Sequence, residues 1–220
     1  MAIILYIDTS TEHASVCLAE DNAVLGTATN QEPKEHSSWL HPAISQLLGD
    51  AGILPVNIHA VGVTLGPGSY TGLRVGLSAA KGLCFSLDKP LIGIGTLELM
   101  ALAADSSGVD YICPMIDARR MEVFTALYTA DKKEIQSPHA LILEPSSFGG
   151  SLSNSKILFA GNGAAKFRGV TLNRHAIFKV DMPSATDMIV PVLAAYHERR
   201  FTNVAYTEPI YAKEFYQGRN

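Results

Sequence analysis

The sequence predicts an α/β protein made of a duplicated sheet-and-helix unit, and three observations predict it. Short runs of β-forming residues alternate with helical patterns in the order β-β-β-α-β-α-β-α, a meander followed by parallel crossovers. The plan then partly repeats: residues 111–116 run into Asp117-Ala118-Arg119-Arg120 as residues 3–7 run into Asp8-Thr9-Ser10. Each half also holds a later strand closed by a glycine turn, 60–65 before Gly66-Pro67-Gly68 and 157–160 before Gly161-Asn162-Gly163.

Taken in order, Ile3-Ile4-Leu5-Tyr6-Ile7 is a dense β-forming run that stops at three oxygen-bearing residues. Alternation resumes at 14–18, Glu20-Asp21-Asn22 makes a turn, and 24–29 reads as a third antiparallel strand. A helix follows from about Ser38, with Trp39, Leu40, Ala43, Ile44, Leu47 and Leu48 apolar. On an ideal wheel these cover about 180°, wider than the roughly 100° stripe that one core requires, which points to a second surface. After strand 60–65 comes a second helix, then a strand at 91–94 and a helix at 97–104. Asp105-Ser106-Ser107-Gly108 is the best linker, so lobes of 1–104 and 105–220 are expected, with the tail able to return to the first. In the second half, 123–128 and 178–180 read as strands and 185–200 as a helix that kinks or starts at Pro191. The segment 205–216 is too apolar to be free.

The joint from Gly66 to Gly76, Gly-Pro-Gly-Ser-Tyr-Thr-Gly-Leu-Arg-Val-Gly, carries the strongest local signal. Ser69 or Thr71 can cap a helix opening near Gly72. Glycines at 72, 76 and 82 cost roughly 1 kcal/mol each inside a helix, so something should pack closely there. The loop resembles a phosphate cradle, but no Lys-Ser or Lys-Thr follows and Thr71 stands where G-x-G-x-x-G needs glycine. Close packing is the better reading of its spacing.

Composition narrows the function. Seventeen basic against 21 acidic residues give a net charge of -4, which argues against a chain that grips nucleic acid by itself. Arg199, Arg200, Lys213 and Arg219 gather near the end, where a local basic patch is the alternative to the favoured reading of a solvated terminal region. Cys17, Cys84 and Cys113 lie in apolar runs and read as reduced core residues. No apolar segment has the length of a membrane span and no signal peptide is evident, so a cytoplasmic chain is expected. Asp8 and Asp117 facing one cleft would suit magnesium-bound phosphate, although a strand-end aspartate more often caps a turn. His36 and His41 are five residues apart and diverge on a helix, so no metal site is expected; His36 is placed before the helix start. Ser69 lacks a local triad and the G-x-S-x-G spacing, so no catalytic residue is assigned.

Taken together, Ile7-Asp8-Thr9-Ser10, His36-Ser37, Gly66 to Gly76, and Ile116-Asp117-Ala118-Arg119 with Glu122-Val123 closely resemble the bacterial TsaB family, also called YeaZ. The match runs in order through nearly the whole chain. The resemblance implies a ribonuclease-H-like, actin-like (ASKHA) fold with two lobes. It further implies the dimerisation subunit of the tRNA threonylcarbamoyladenosine biosynthesis complex, modifying adenosine beside the anticodon. The partners implied are the catalytic subunit TsaD, the ATPase TsaE, a second copy of the chain when isolated, and tRNA through the complex. No resident cofactor is implied for this chain, with ATP or ADP and magnesium entering at the level of the complex. Asp8, Thr9 and Ser10 would form a degenerate nucleotide site. Tyr70 departs from the family's phenylalanine, and Ala212-Lys213 from its usual Leu-Arg.

The leading functional expectation is a non-catalytic scaffold. Its interface would be Trp39, Leu40, Ala43, Ile44 and Leu47 on one helix with Gly72, Leu73, Gly76, Leu77, Ala80 and Leu83 on the other. The alternatives are a nucleotide-binding or phosphotransferase protein of the same fold using Asp8 and Thr9, and, behind it, a protease, for which the chain displays neither nucleophile nor metal set.

Overall fold

A computed structural model describes residues 1–30, 32 and 35–212. Its strands form two five-stranded mixed sheets, each grown outward from one buried apolar run. In the first, β1 (Ile3–Asp8), β2 (Ala14–Glu20), β3 (Ala23–Asn30), β4 (Ala60–Gly66) and β5 (Leu91–Gly95) stand in the order β3-β2-β1-β4-β5. The central β1 is apolar on both faces because both are covered. Leu5 and Ile7 enter one core with helices α1 (His36–Asp50) and α2 (Tyr70–Leu87). Ile4 and Tyr6 enter a second core, which Leu99 of α3 (Thr96–Ala103) also joins.

The second sheet repeats this topology strand for strand. β6 (Tyr111–Asp117), β7 (Glu122–Thr129), β8 (Glu134–Ile142), β9 (Ile157–Ala160) and β10 (Ala176–Lys179) stand in the order β10-β9-β6-β7-β8. In both sheets the first strand is central, with its second strand antiparallel on one side and its fourth parallel on the other. The helices do not repeat as closely. Where α2 has 18 residues, the corresponding crossover holds α4 (Ala164–Arg168), with five. Phenylalanines take over its covering role: Phe159 lies 4.8 Å from Phe167, 5.3 Å from Phe148 and 5.4 Å from Phe178, centroid to centroid.

Several boundaries differ from the sequence expectation for identifiable reasons. β8 is an edge strand with little burial, so its residues show no apolar alternation, and α4 is too short to show a period. His36 is the first residue of α1 rather than preceding it; its ring is buried, with Nε2 3.1 Å from the Thr11 carbonyl oxygen. The helix expected at 185–200 is a 3-10 turn, Ala185–Met188, followed by α5 (Ile189–His197). Pro191 falls in the first turn of α5, where its missing N–H costs no hydrogen bond.

The chain clusters into two compact units, Met1–Leu99 with Pro183–Ile210, and Met100–Met182 with the last described residues. The segment Pro183–Ile210, which the linker at 105–108 assigns to the second lobe, thus packs with the first. It does so because Met188, Ile189, Val192 and Leu193 cover the Ile4 and Tyr6 face of β1. Backbone bonds fix it: Ala185 N–H donates to Ser15 Oγ (2.9 Å), Thr202 N–H to the Leu91 carbonyl (2.8 Å), and Ile210 N–H to the Leu65 carbonyl (2.7 Å). Lys213 and the aromatic residues Phe215 and Tyr216 lie outside the described residues. Among the described residues, no helix is long and apolar enough to cross a membrane.

Candidate functional site

β1 ends at Asp8, and the turn after it meets the first turn of α2. Asp8 is fully buried. Its Oδ1 accepts hydrogen bonds from Ser10 N–H (2.9 Å), Ser10 Oγ (2.7 Å) and Thr64 Oγ1 (2.9 Å), whereas Oδ2 has no partner among the described residues. Burial pushes the carboxyl above the usual carboxylate range, against the opposing pull of the Ser10 and Thr64 bonds, and the charge of Asp187 adds to the push. Thr9 Oγ1 donates to the Gly72 carbonyl (2.7 Å), and Ser69 N–H to the Ser10 carbonyl (2.8 Å). Ser69 caps α2, its Oγ accepting from Gly72 N–H at 3.2 Å.

This close approach explains the glycines of the joint. A β-carbon at Gly68 would overlap the Ser10 carbonyl, one at Gly72 the Thr9 carbonyl, and one at Gly76 the Thr9 hydroxyl. Asp8, Thr9 and Ser10 therefore come together as the sequence groups them, but sealed beneath the start of α2. Among the described residues of this group, the buried side-chain oxygen left without a partner is Asp8 Oδ2. Among the described residues no three His, Cys, Asp or Glu side chains cluster as metal ligands.

The expected interface residues are placed differently from the expectation. Leu40, Ala43, Ile44 and Leu47 of α1 and Leu73, Leu77 and Ala80 of α2 are buried in the chain itself, as are Gly72 and Gly76. Trp39 and Leu83 are partly buried against the same core. The apolar breadth of α1 is thus accounted for by its own sheet, with Trp39 at the margin beside a groove of about 230 Å³ shared with Thr27, Ala28 and Pro42. The opposite side of these adjacent helices is left uncovered by the chain itself. There Ser38, His41, Pro42, Ser45 and Gly49 line α1, and Thr71, Arg74, Ser78, Gly82 and Phe85 line α2, all exposed. Phe85 is 85% exposed, and a β-carbon at Gly49 or Gly82 would meet nothing. The signal for this stripe was present in the sequence: Ser78, Gly82 and Phe85 fall within about 60° of one another at 100° per residue.

Asp117 occupies in β6 the place of Asp8 in β1, in a contrasting environment. Its side chain is 38% exposed and its Oδ1 accepts from Lys166 Nζ (2.5 Å) and Arg119 N–H (2.6 Å). Its own N–H donates to Asn162 Oδ1 (2.8 Å). The carboxylate ties the β6–β7 turn to α4. Lys166 as its partner was not identified from the sequence, because 49 residues separate the two and α4 is too short to be seen.

Comparison with known proteins is consistent with this architecture. The family model described as "TsaD: tRNA N6-adenosine threonylcarbamoyltransferase" matches residues 24–171. The tRNA threonylcarbamoyladenosine biosynthesis protein TsaB of Escherichia coli (strain K12) is 30% identical over 221 residues, covering 96% of this chain and 94% of that protein. The protein of the same name from Bacillus subtilis (strain 168) is 40% identical over 126 residues, 57% of this chain, a match that spans 54% of that protein. Among solved structures, an uncharacterized Pseudomonas aeruginosa protein with similarity to peptidase YEAZ superposes with a TM-score of 0.84 at 24% identity, covering 97% of this chain and all of that one. YeaZ from Pseudomonas aeruginosa gives 0.79 at 25%, covering 96% and 100%. The activator of 2-hydroxyisocaproyl-CoA dehydratase from Clostridium difficile, solved with bound ADPNP, gives 0.51 at 10% identity over 90% of this chain and 96% of that one, a likeness of fold alone. The two repeated mixed sheets are those of the duplicated ASKHA fold.

Proposed function

Because the chain belongs to the TsaB (YeaZ) family, whose members are named for tRNA threonylcarbamoyladenosine biosynthesis, we propose that it serves that pathway as a non-catalytic scaffold. It pairs with a TsaD-type catalytic subunit and helps recruit a TsaE-type ATPase, and any nucleotide enters with the assembled complex. The observation that carries this reading is the sealed end of β1. Thr9 and Ser10 are spent on the chain's own α2, Thr9 Oγ1 donating to the Gly72 carbonyl and the Ser10 carbonyl accepting from Ser69 N–H.

The pairing surface in this reading is the outer stripe of α1 and α2. Small residues at Ser38, Ser45, Gly49, Ser78 and Gly82 permit a second helix pair to approach closely, and Phe85 supplies an apolar anchor. The same stripe joins two copies when the chain is alone. Mixed with its catalytic partner, the chain should elute as one complex on size-exclusion chromatography, and tRNA modification should require it. Gly82→Glu with Phe85→Asp should abolish the complex while leaving a folded monomer by circular dichroism. Full modification by the catalytic subunit alone, or an unchanged complex with the double variant, would overturn the reading.

A further inference from the structure

The two units differ in charge. Segments 1–99 and 183–210 carry six Lys/Arg against twelve Asp/Glu, whereas 100–182 carries nine against eight. A polyanion is therefore repelled by the first unit and tolerated by the second, where the placement of individual cations decides what happens.

β6, β9 and β10 are parallel, so their C-terminal ends share one rim of the second sheet. The β6–β7 turn at that rim presents Arg119 and Arg120, both exposed. Their φ angles are 71° and 48°, in the left-handed region that side-chain-bearing residues seldom adopt and that glycine or asparagine would enter at lower cost. Nothing in the fold calls for arginine at either place, since among the described residues neither guanidinium meets a carboxylate. The turn is nonetheless held in position. Asp117 accepts the Arg119 N–H, and its negative charge is met by Lys166 instead of by either arginine. Arg168 is engaged elsewhere, beside β10, its guanidinium 5.2 Å above the Phe178 ring and 3.4 Å from the Phe178 carbonyl oxygen. Glu122 stands two residues after Arg120, which makes this a local contact and not a broad basic face.

We propose that the Arg119-Arg120 turn is a contact for the phosphodiester backbone of RNA. Two exposed guanidiniums on adjacent residues are suited to phosphate oxygens, and the backbone that carries them is already held in the free protein by the Arg119 N–H bond to Asp117. The identity of that RNA as the tRNA under modification rests on the function proposed above. A contact of this size adds affinity and orientation to a complex; in this acidic chain by itself it gives only weak RNA binding, readable at low salt.

The test is the salt dependence of binding of an unmodified tRNA transcript to the assembled pair of this chain and its catalytic partner. Arg119→Gln with Arg120→Gln should weaken binding by about tenfold at low salt and reduce the slope of log K against log salt by about 2. Lys133→Gln with Lys156→Gln removes the same charge from the opposite end of the same sheet and should change neither. Equal losses in both variants, or an unchanged slope in the arginine variant, would overturn the proposal. So would loss of the ATPase subunit at unchanged RNA affinity, which would assign the turn to an acidic protein surface. Size-exclusion chromatography of each variant pair keeps the outcomes separate: failure of the pair to form at all, in the wild type, counts against the scaffold reading and not against the turn, whose effect is then read on the full chain alone.

Discussion

Asp8 and Asp117 end equivalent strands and yet differ in chemistry. Asp117 is half-exposed and meets Lys166, whereas Asp8 is buried with no cation and leaves Oδ2 unpartnered. Three donors converge on Asp8 Oδ1, so Asp8→Ala should cost about 2–3 kcal/mol by stranding Ser10 N–H, Ser10 Oγ and Thr64 Oγ1. Asp8→Asn keeps an acceptor oxygen without the charge, and its stability at neutral pH should stay within about 1 kcal/mol of the wild type. The acid–base sign follows from burial. The folded carboxyl binds its proton more tightly than the unfolded one, whose ordinary value is 3.8. Its stabilising contribution is therefore complete below that value and is lost as pH rises through the raised folded value. Urea denaturation across the mildly acidic range should show the wild type gaining stability relative to Asp8→Asn as pH falls. A constant difference between the two would contradict this.

At the scale of elements, the glycines of α2 separate into two kinds. Gly76 lies against the Thr9 hydroxyl, so Gly76→Ala should destabilise by about 1–3 kcal/mol through overpacking. Gly82 faces open space, so Gly82→Ala should stabilise the isolated monomer by about 0.4–1 kcal/mol in thermal or chemical melts. The sequence displays all these glycines and signals close packing, but it does not tell which neighbour packs. The same ambiguity affects α1: a wheel registers that Leu40, Ile44 and Leu47 are apolar, and not that β2 and β3 already cover them. Legibility followed burial in most elements, with the exposed edge strand β3 read from its neighbours' alternation and the turn before it. β1, β2, β4 and β5 of the first sheet are largely buried, mostly apolar runs and were visible, as was the repeat of β1 in β6. β8, which pairs only along one edge and has little side-chain burial, gave no pattern to read. At the candidate site, the grouping of Asp8, Thr9 and Ser10 was legible because the three are consecutive, and their sealing was not, because it depends on contacts with residues 68–76.

For the whole molecule, a linker marks where a chain leaves a unit but carries no sign that it will come back. Asp105-Ser106-Ser107-Gly108 is a genuine loop between α3 and β6, and the return of Pro183–Ile210 is dictated instead by an apolar sheet face that Leu99 of α3 covers only in part. Cutting the chain after Met182 should therefore damage the first unit more than the second. Hydrogen exchange in such a truncated chain should show lost protection in β1 and β5, with β6 and β7 less affected; retained protection in β1 would refute the dependence. The same return sets a timetable for the chain as it is made. β1 is among the first segments to leave the ribosome, yet its cover, α5, emerges only after all of Met100–Met182 has been synthesised. At about 5–20 residues per second, that leaves the Ile4 and Tyr6 face bare for several seconds in every molecule produced. The nascent chain in that interval is a client for whatever shields apolar surface in the cell, and the first lobe to be translated is the last to close.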